Sequence, residues 1–211
     1  MAAGTFETRA RGEGKRSRTR GRLMDAAITA FANEGLEAAS VNAIAQAADV
    51  SNGTFYNHFR DKNDVAATVT LGIAEEIVSR IDAEMSNIED PMRRVTYGTR
   101  QFIELAASEP NWGRALFRAV WSLPELRMEI GRFLRADLER GVRAGVFRLE
   151  IDDLLIDLIG GTVLTAVFLR TSGEAGAEVG ARVAEYQLRM LGIAPAKARR
   201  AANAELTLGG S

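Results

Sequence analysis

Cysteine is absent from the 211 residues, and histidine occurs once, at His58. The first absence excludes a disulfide framework, thiolate-ligated zinc and a cysteine nucleophile, and it suits a reducing compartment. The second excludes a metal centre built from histidines and leaves a single residue for any Ser/His/Asp triad, so no metal or cofactor is expected. Proline is scarce, at 4 residues, and no low-complexity tract occurs. Disordered and collagen-like classes are thereby excluded. The first residues carry charges where a secretory signal would have an apolar run, so a cytoplasmic protein is expected. Leu158 to Leu169 is uncharged for only 12 residues, against roughly 20 for a membrane span. A buried helix, and no membrane partner, is the expectation there.

Hydrophobic residues make up 46% and charged residues 26% of the chain. That length and composition suit one sizeable helical domain, or a small module joined to a larger one. The net charge is −1, yet residues 1–24 hold Arg9, Arg11, Lys15, Arg16, Arg18, Arg20 and Arg22 against Glu7 and Glu13. A segment of charge +5 thus precedes a body of −6. Such asymmetry points to a basic arm for nucleic acid, or else to a solvated tail.

No strand alternation of useful length is present, and the apolar period is helical from Arg20 onward. Leu23, Ala27, Ala30 and Phe31 form one inner face, and Gly35 stands where a left-handed cap would close that helix. Ser40 can cap a short helix with Val41, Ile44, Ala45 and Ala48 inside. After a break at Asp49-Val50, Ser51 can cap a third helix, with Phe55 and Phe59 one turn apart. Val65, Val69, Ile73, Ile77, Ile81 and Met85 predict a longer fourth helix. Asp90-Pro91 opens a helix to about Ser108, which Pro110 stops; Asn111 can cap the next, around Trp112 to Trp121. Pro124 opens a helix closed by Gly145, Asp152-Asp153 opens another to about Thr171, and a last amphipathic helix covers roughly Ala175 to Leu191. The fold class expected is all-α.

Three short helices behind a basic segment have the geometry of a helix-turn-helix reader. The run from Val41 to Lys62, with Ala26-Ala27, Phe31 and Gly35 upstream, closely resembles the DNA-binding signature of the tetracycline-repressor (TetR) family. Its most specific part is Gly53-Thr54-Phe55-Tyr56-Asn57-His58-Phe59-Arg60-Asp61-Lys62. One departure is Asp49, where many members carry glycine; aspartate tolerates the left-handed conformation better than most residues. The resemblance places Tyr56, His58 and Lys62 on backbone phosphates, and all three side chains can donate to phosphate oxygen. Ser40 and Thr54 are further backbone candidates. Asn52 is the expected base reader, with Gly53 allowing close approach, Asn42 reaching in from the preceding helix, and Asn57 beside them. Arg18 and Arg20, with Arg16, suit phosphates or the minor groove. Tyr56 could instead pack its ring inward, and Lys62 could be a solvated surface charge.

The resemblance further implies a C-terminal domain that binds a small molecule and dimerises through its last two long helices. The helix from Leu154 to Thr171 is apolar around its circumference and contains Gly160-Gly161, which close approach of another helix would compensate. Leu155, Ile159, Val163, Val183 and Tyr186 are the expected dimer contacts, the alternative being that they are buried wholly within the chain. Tyr97, Phe102, Trp112, Phe117, Trp121, Met128 and Phe168 are the expected effector contacts, joined by Leu116 and Phe133, with Arg100, Glu104 or Arg114 as polar anchors. The same residues would also make an aromatic-rich core.

The boundaries expected are a flexible basic arm at 1–18, a DNA-binding domain at 19–62, an effector and dimerisation domain at 63–192, and a tail at 193–211. The partners expected are an operator duplex, an apolar or aromatic effector and a second copy of the chain. No carboxylate pair stands out for acid/base work, so the chain reads as a regulator and not an enzyme. A helical protein-binding adaptor without specific DNA recognition is the alternative.

Overall fold

A computed structural model describes residues 5–205 except Glu109 and Leu123, with the side chains of Thr5, Arg9, Arg11, Trp112, Arg118, Phe133 and residues 121–130 excepted. Helices follow one another as α1 (Thr5–Arg9), a 3₁₀ turn (Ala10–Gly12), α2 (Lys15–Glu34), α3 (Val41–Ala47), α4 (Asn52–Tyr56) and α5 (Lys62–Glu84). There follow α6 (Pro91–Ser108), α7 (Pro110–Ser122), α8 (Pro124–Arg143), α9 (Asp153–Ser172), α10 (Val179–Met190) and α11 (Pro195–Ala202). No strand occurs among the described residues.

Local chemistry sets most helix ends. Gly35 turns at φ 83° and its N–H donates to Phe31 O, closing α2. The Asp90 carboxylate accepts from Met92 N at 2.9 Å as α6 begins at Pro91. Asp152 caps α9 by accepting from Leu155 N at 2.8 Å, and Gly173, left-handed at φ 80°, ends it. Pro110 opens α7 instead of merely stopping α6, since a ring-fixed φ and a missing N–H suit the first helical turn.

The chain divides into two compact units, Met1–Ala74 with Ser108–Leu126, and Glu75–Ala107 with Arg127–Ser211. The first unit buries Leu23, Ala27, Phe31, Ile44, Phe55, Phe59, Val65 and Val69, with α7 packed on α2. It therefore runs past residue 62 into α5, whose apolar face is buried from Val65 onward. The second unit is built around Leu138, Phe147, Ile159, Leu188 and Leu191. Inside it, buried Gln187 donates to Ile159 O at 3.3 Å and Thr162 Oγ1 at 2.9 Å, and accepts from the Thr99 hydroxyl.

Two terminal expectations change. Residues 5–18, expected as a flexible arm, are helical in α1 and from Lys15 onward. The segment expected as a tail contains α11, which packs on α10 with Ala198 and Ala202 fully buried. Arg100 fastens the end of α11 by donating to Ala202 O at 3.2 Å and Ala204 O at 2.9 Å.

Candidate nucleic-acid interface

The turn between α3 and α4 is fixed by the backbone. The Val50 N–H donates to Ala45 O and the Asp49 N–H to Gln46 O, both at 3.0 Å, which is the 6→1 and 5→2 pairing of a Schellman motif. Asp49 supplies the left-handed residue at φ 53°, the one non-glycine described with positive φ. Ser40 accepts from Ala43 N at 3.1 Å and so caps α3, while Ser51 accepts from Thr54 N at 3.2 Å and caps α4. The Ser51 and Thr54 hydroxyls share a further bond at 3.0 Å. Phe55 and Phe59 are buried, with ring centroids 5.8 Å apart, and they anchor α4 to the core.

With the phenyl rings inside, the polar residues of α3 and α4 are left outside. Asn42, Asn52, Gly53 and Asn57 are exposed, Thr54 and His58 are half-buried, and Tyr56 has 58% of its surface exposed. Tyr56 therefore does not pack inward; its ring meets Phe55 edge-on at 5.5 Å. Asn42, Gln46, Asp49, Val50, Ser51 and Asn52 line an open concavity of about 710 Å³ between the two short helices. Gln46 is a member the sequence reading passed over, although its position one turn beyond Asn42 was a usable signal. A Cβ at Gly53 would meet only Ser51 Oγ, at 3.8 Å. Nothing inside the chain demands glycine there.

The cationic groups divide by occupation. Arg18 and Arg20 are exposed, and the Arg20 guanidinium lies 4.9 Å from the Phe59 ring centroid, joining the start of α2 to the end of α4. Burial first, then the charges of Arg16 and Arg20, hold the His58 pKa below its ordinary 6.5. Its imidazole is thus ready to gain, not lose, a proton beside an anion. Lys62 has partners inside the chain as well: its ammonium donates to Glu37 O at 2.7 Å and Ala39 O at 3.5 Å. Two of its three donors thus hold the α2–α3 loop.

In the second unit, Tyr97 is buried and its hydroxyl donates to Glu84 at 2.8 Å; burial first, then that bond and the Glu84 charge, push its pKa up to about 12. Phe102 is half-buried there and Phe168 is 38% exposed, whereas half-buried Phe117 belongs to the first unit. Arg100 is committed to α11, Arg114 to Asn111 and Glu104 to Arg170. The side chains of Trp112, Trp121, Met128 and Phe133 lie outside the described residues.

Of the residues expected as dimer contacts, two are buried inside the chain and Tyr186 is exposed. Ile159 and Val183 are buried in the chain's own core, Leu155 packs against it, and Val163 is half-buried. Ile159 and Val183, already filling one core, cannot fill a second. The outward stripe of α9 instead carries Leu154, Leu158 and Phe168, exposed by 65, 51 and 38%, and α10 adds Tyr186 at 47%. Gly160 meets nothing within 4 Å inside the chain. By length and composition α9 could cross a membrane, its best window having a mean hydropathy of 1.7 with 22% of it buried. It nonetheless carries Asp153, Asp157 and Arg170.

Two family models match the sequence. The model of bacterial regulatory proteins of the tetR family covers residues 23–69, and a tetracyclin repressor-like C-terminal domain covers residues 90–204. The chain is similar to the transcriptional repressor KstR2 of Rhodococcus jostii, at 27% identity over 72% of this chain and 79% of that protein. It is also similar, at 37% identity over 31% of this chain and 30% of the other, to the regulator AcrR of Shigella flexneri. Among solved structures, RolR in complex with resorcinol superposes with a TM-score of 0.73 at 27% identity, over 92% of this chain and 97% of that one.

Proposed function

The chain belongs to the TetR family of bacterial regulatory proteins, a family of transcriptional regulators and not of enzymes, and on that premise we propose how this member works. It is a ligand-responsive DNA-binding repressor. In our reading it acts in the cytoplasm, without catalytic activity, as a homodimer on a pseudo-palindromic operator whose half-sites lie one helical turn or a multiple apart. Asn42, Gln46 and Asn52 face base edges across the concavity between α3 and α4; Ser40, Thr54, Tyr56, Asn57, His58, Arg18 and Arg20 face the backbone. The observation that carries this is the exposure of Tyr56 and the asparagines on a helix whose aromatic side is locked in the core. An aromatic that is more than half exposed, ringed by hydrogen-bond donors, has its use outside the chain.

Dimerisation uses the outward face of α9 and α10, with Leu154, Leu158, Phe168 and Tyr186 at its centre. The exposed apolar stripe of a 20-residue helix supports this, for such a surface is normally covered. A small aromatic effector is supported by the resorcinol complex of RolR, and the binding of such a ligand shifts the population toward a state that grips DNA less well. Sedimentation tests the dimer. Wild type runs as two protomers at micromolar concentration, and Leu158→Glu runs as one and loses retention on a random duplex pool. A monomeric wild type, or a dimeric Leu158→Glu, contradicts this interface. A panel of dihydroxybenzenes, beginning with resorcinol, is expected to release the retained wild type.

A further inference from the structure

The basic N-terminal segment is folded and fastened in a way that its composition does not require. The Phe6 and Glu7 N–H groups donate to the two oxygens of Asp25, at 3.1 and 3.0 Å, so one carboxylate in the middle of α2 caps the start of α1. A Cβ on Gly21 would stand 2.7 Å from Glu7 N and Phe6 O; the two backbones touch there. A Cβ on Gly72 would stand 2.9 Å from the Phe6 ring, which therefore also lies flush on α5. A helix of five residues does not persist alone. Three separate contacts hold this one, and each depends on a residue of α2 or α5.

Pairing residues 6–7 with residues 21–25 makes α1 and α2 an antiparallel hairpin that turns at Gly12–Gly14. Beside its tip stand Lys15, Arg16 and Arg18, all exposed, against one acid, Glu13. The stacking of Arg20 on Phe59 puts that end of α2 beside the end of α4, where Tyr56, Asn57 and His58 stand. We propose that this folded hairpin is a second DNA-contacting element of each protomer. Its tip engages backbone phosphates flanking the stretch read by α3 and α4, and Asp25, Gly21 and Phe6 are positioning residues that hold it there. The inference rests on the DNA-reading assignment made above. A pinned tip contacts DNA without the ordering cost that a loose arm bears.

Gly21→Ala separates the hairpin from the rest. Alanine is the better helix former, so α2 itself is strengthened while α1 is pushed away, with no change of charge. The probe is the duplex that wild type enriches from a random pool, with about ten base pairs of flank on each side. Gly21→Ala is expected to bind it about tenfold more weakly at fixed salt. It should also lose hydroxyl-radical protection of the flanking phosphates while keeping that of the half-sites. Lys15→Ala/Arg16→Ala is expected to reduce the slope of log affinity against log salt by about two per protomer. Wild-type affinity and footprint for a folded Gly21→Ala protein overturn the hairpin's role and leave the α3–α4 reading standing. A wild type that enriches no duplex overturns both.

Discussion

Arg94 is the buried charge of the second unit among the described residues. It is 7% exposed, and its guanidinium is engaged on every side. Nε and Nη2 each meet Asp137 at 3.0 Å, and Nη1 donates to Met85 O at 3.0 Å and Ile88 O at 3.3 Å. Asp82 stands further off, at 3.9 Å. Replacement by methionine keeps the stem and removes the fork. The two carbonyls of the α5–α6 connection lose their donor, and Asp137 loses a two-point partner. Breaking a buried pair costs about 3–5 kcal/mol. Asp137 is a quarter exposed and keeps Arg140 at 3.8 Å, which selects the lower end, about 3 kcal/mol. For a chain of this size that is a fall of roughly 6–12 °C in midpoint. Urea unfolding at pH 7, followed by circular dichroism, measures it. The double variant Arg94→Met/Asp137→Leu should recover part of the loss, because the stranded carboxylate is gone. A cost below about 1 kcal/mol for the single variant, with the denaturant slope unchanged, refutes the reasoning.

The pKa of His58, held low by burial and then by Arg16 and Arg20, rises when a phosphate lies beside it. Binding then takes up a proton, so operator affinity should increase as pH falls through the interval between the raised and lowered values, around and below 6.5. His58→Gln should flatten that dependence, and a wild-type affinity independent of pH from 8 to 5 contradicts the contact. The same depressed value means that the unbound protein loses a little stability as pH falls below 6.5, because the unfolded chain protonates first. Asp49→Gly should stabilise the first unit by about 1 kcal/mol, since it relieves a left-handed aspartate at φ 53°. A destabilised variant in thermal melts counts against the strain.

What was legible in the sequence was whatever local chemistry decides. Ser40, Ser51 and Asp152 cap helices, Gly35 and Gly145 turn with positive φ after them, and the alternation of Phe55 and Phe59 with polar neighbours foretells which side of α4 is buried. What depends on distant partners was not. α1 has too few apolar residues to announce itself, and it exists through Asp25, Gly21 and Gly72. α11 looks like a polar tail until Arg100 and the face of α10 are placed against it. Which side of α9 faces outward was not legible for another reason: a helix that is apolar all round carries no phase in its pattern, so only packing assigns Ile159 inward and Leu158 outward. The sequence likewise could not say that the Lys62 ammonium already serves two loop carbonyls.

The most direct measurement is selection of duplexes from a random pool by purified wild type and by Asn52→Ala/Tyr56→Ala, side by side at one salt concentration, after refolding from denaturant to strip any bound ligand. The account predicts that wild type alone recovers a pseudo-palindrome, while the double variant, equally folded and dimeric, enriches nothing. Equal enrichment by both proteins, or none by a dimeric wild type, contradicts the claim that the exposed face of α3 and α4 reads DNA.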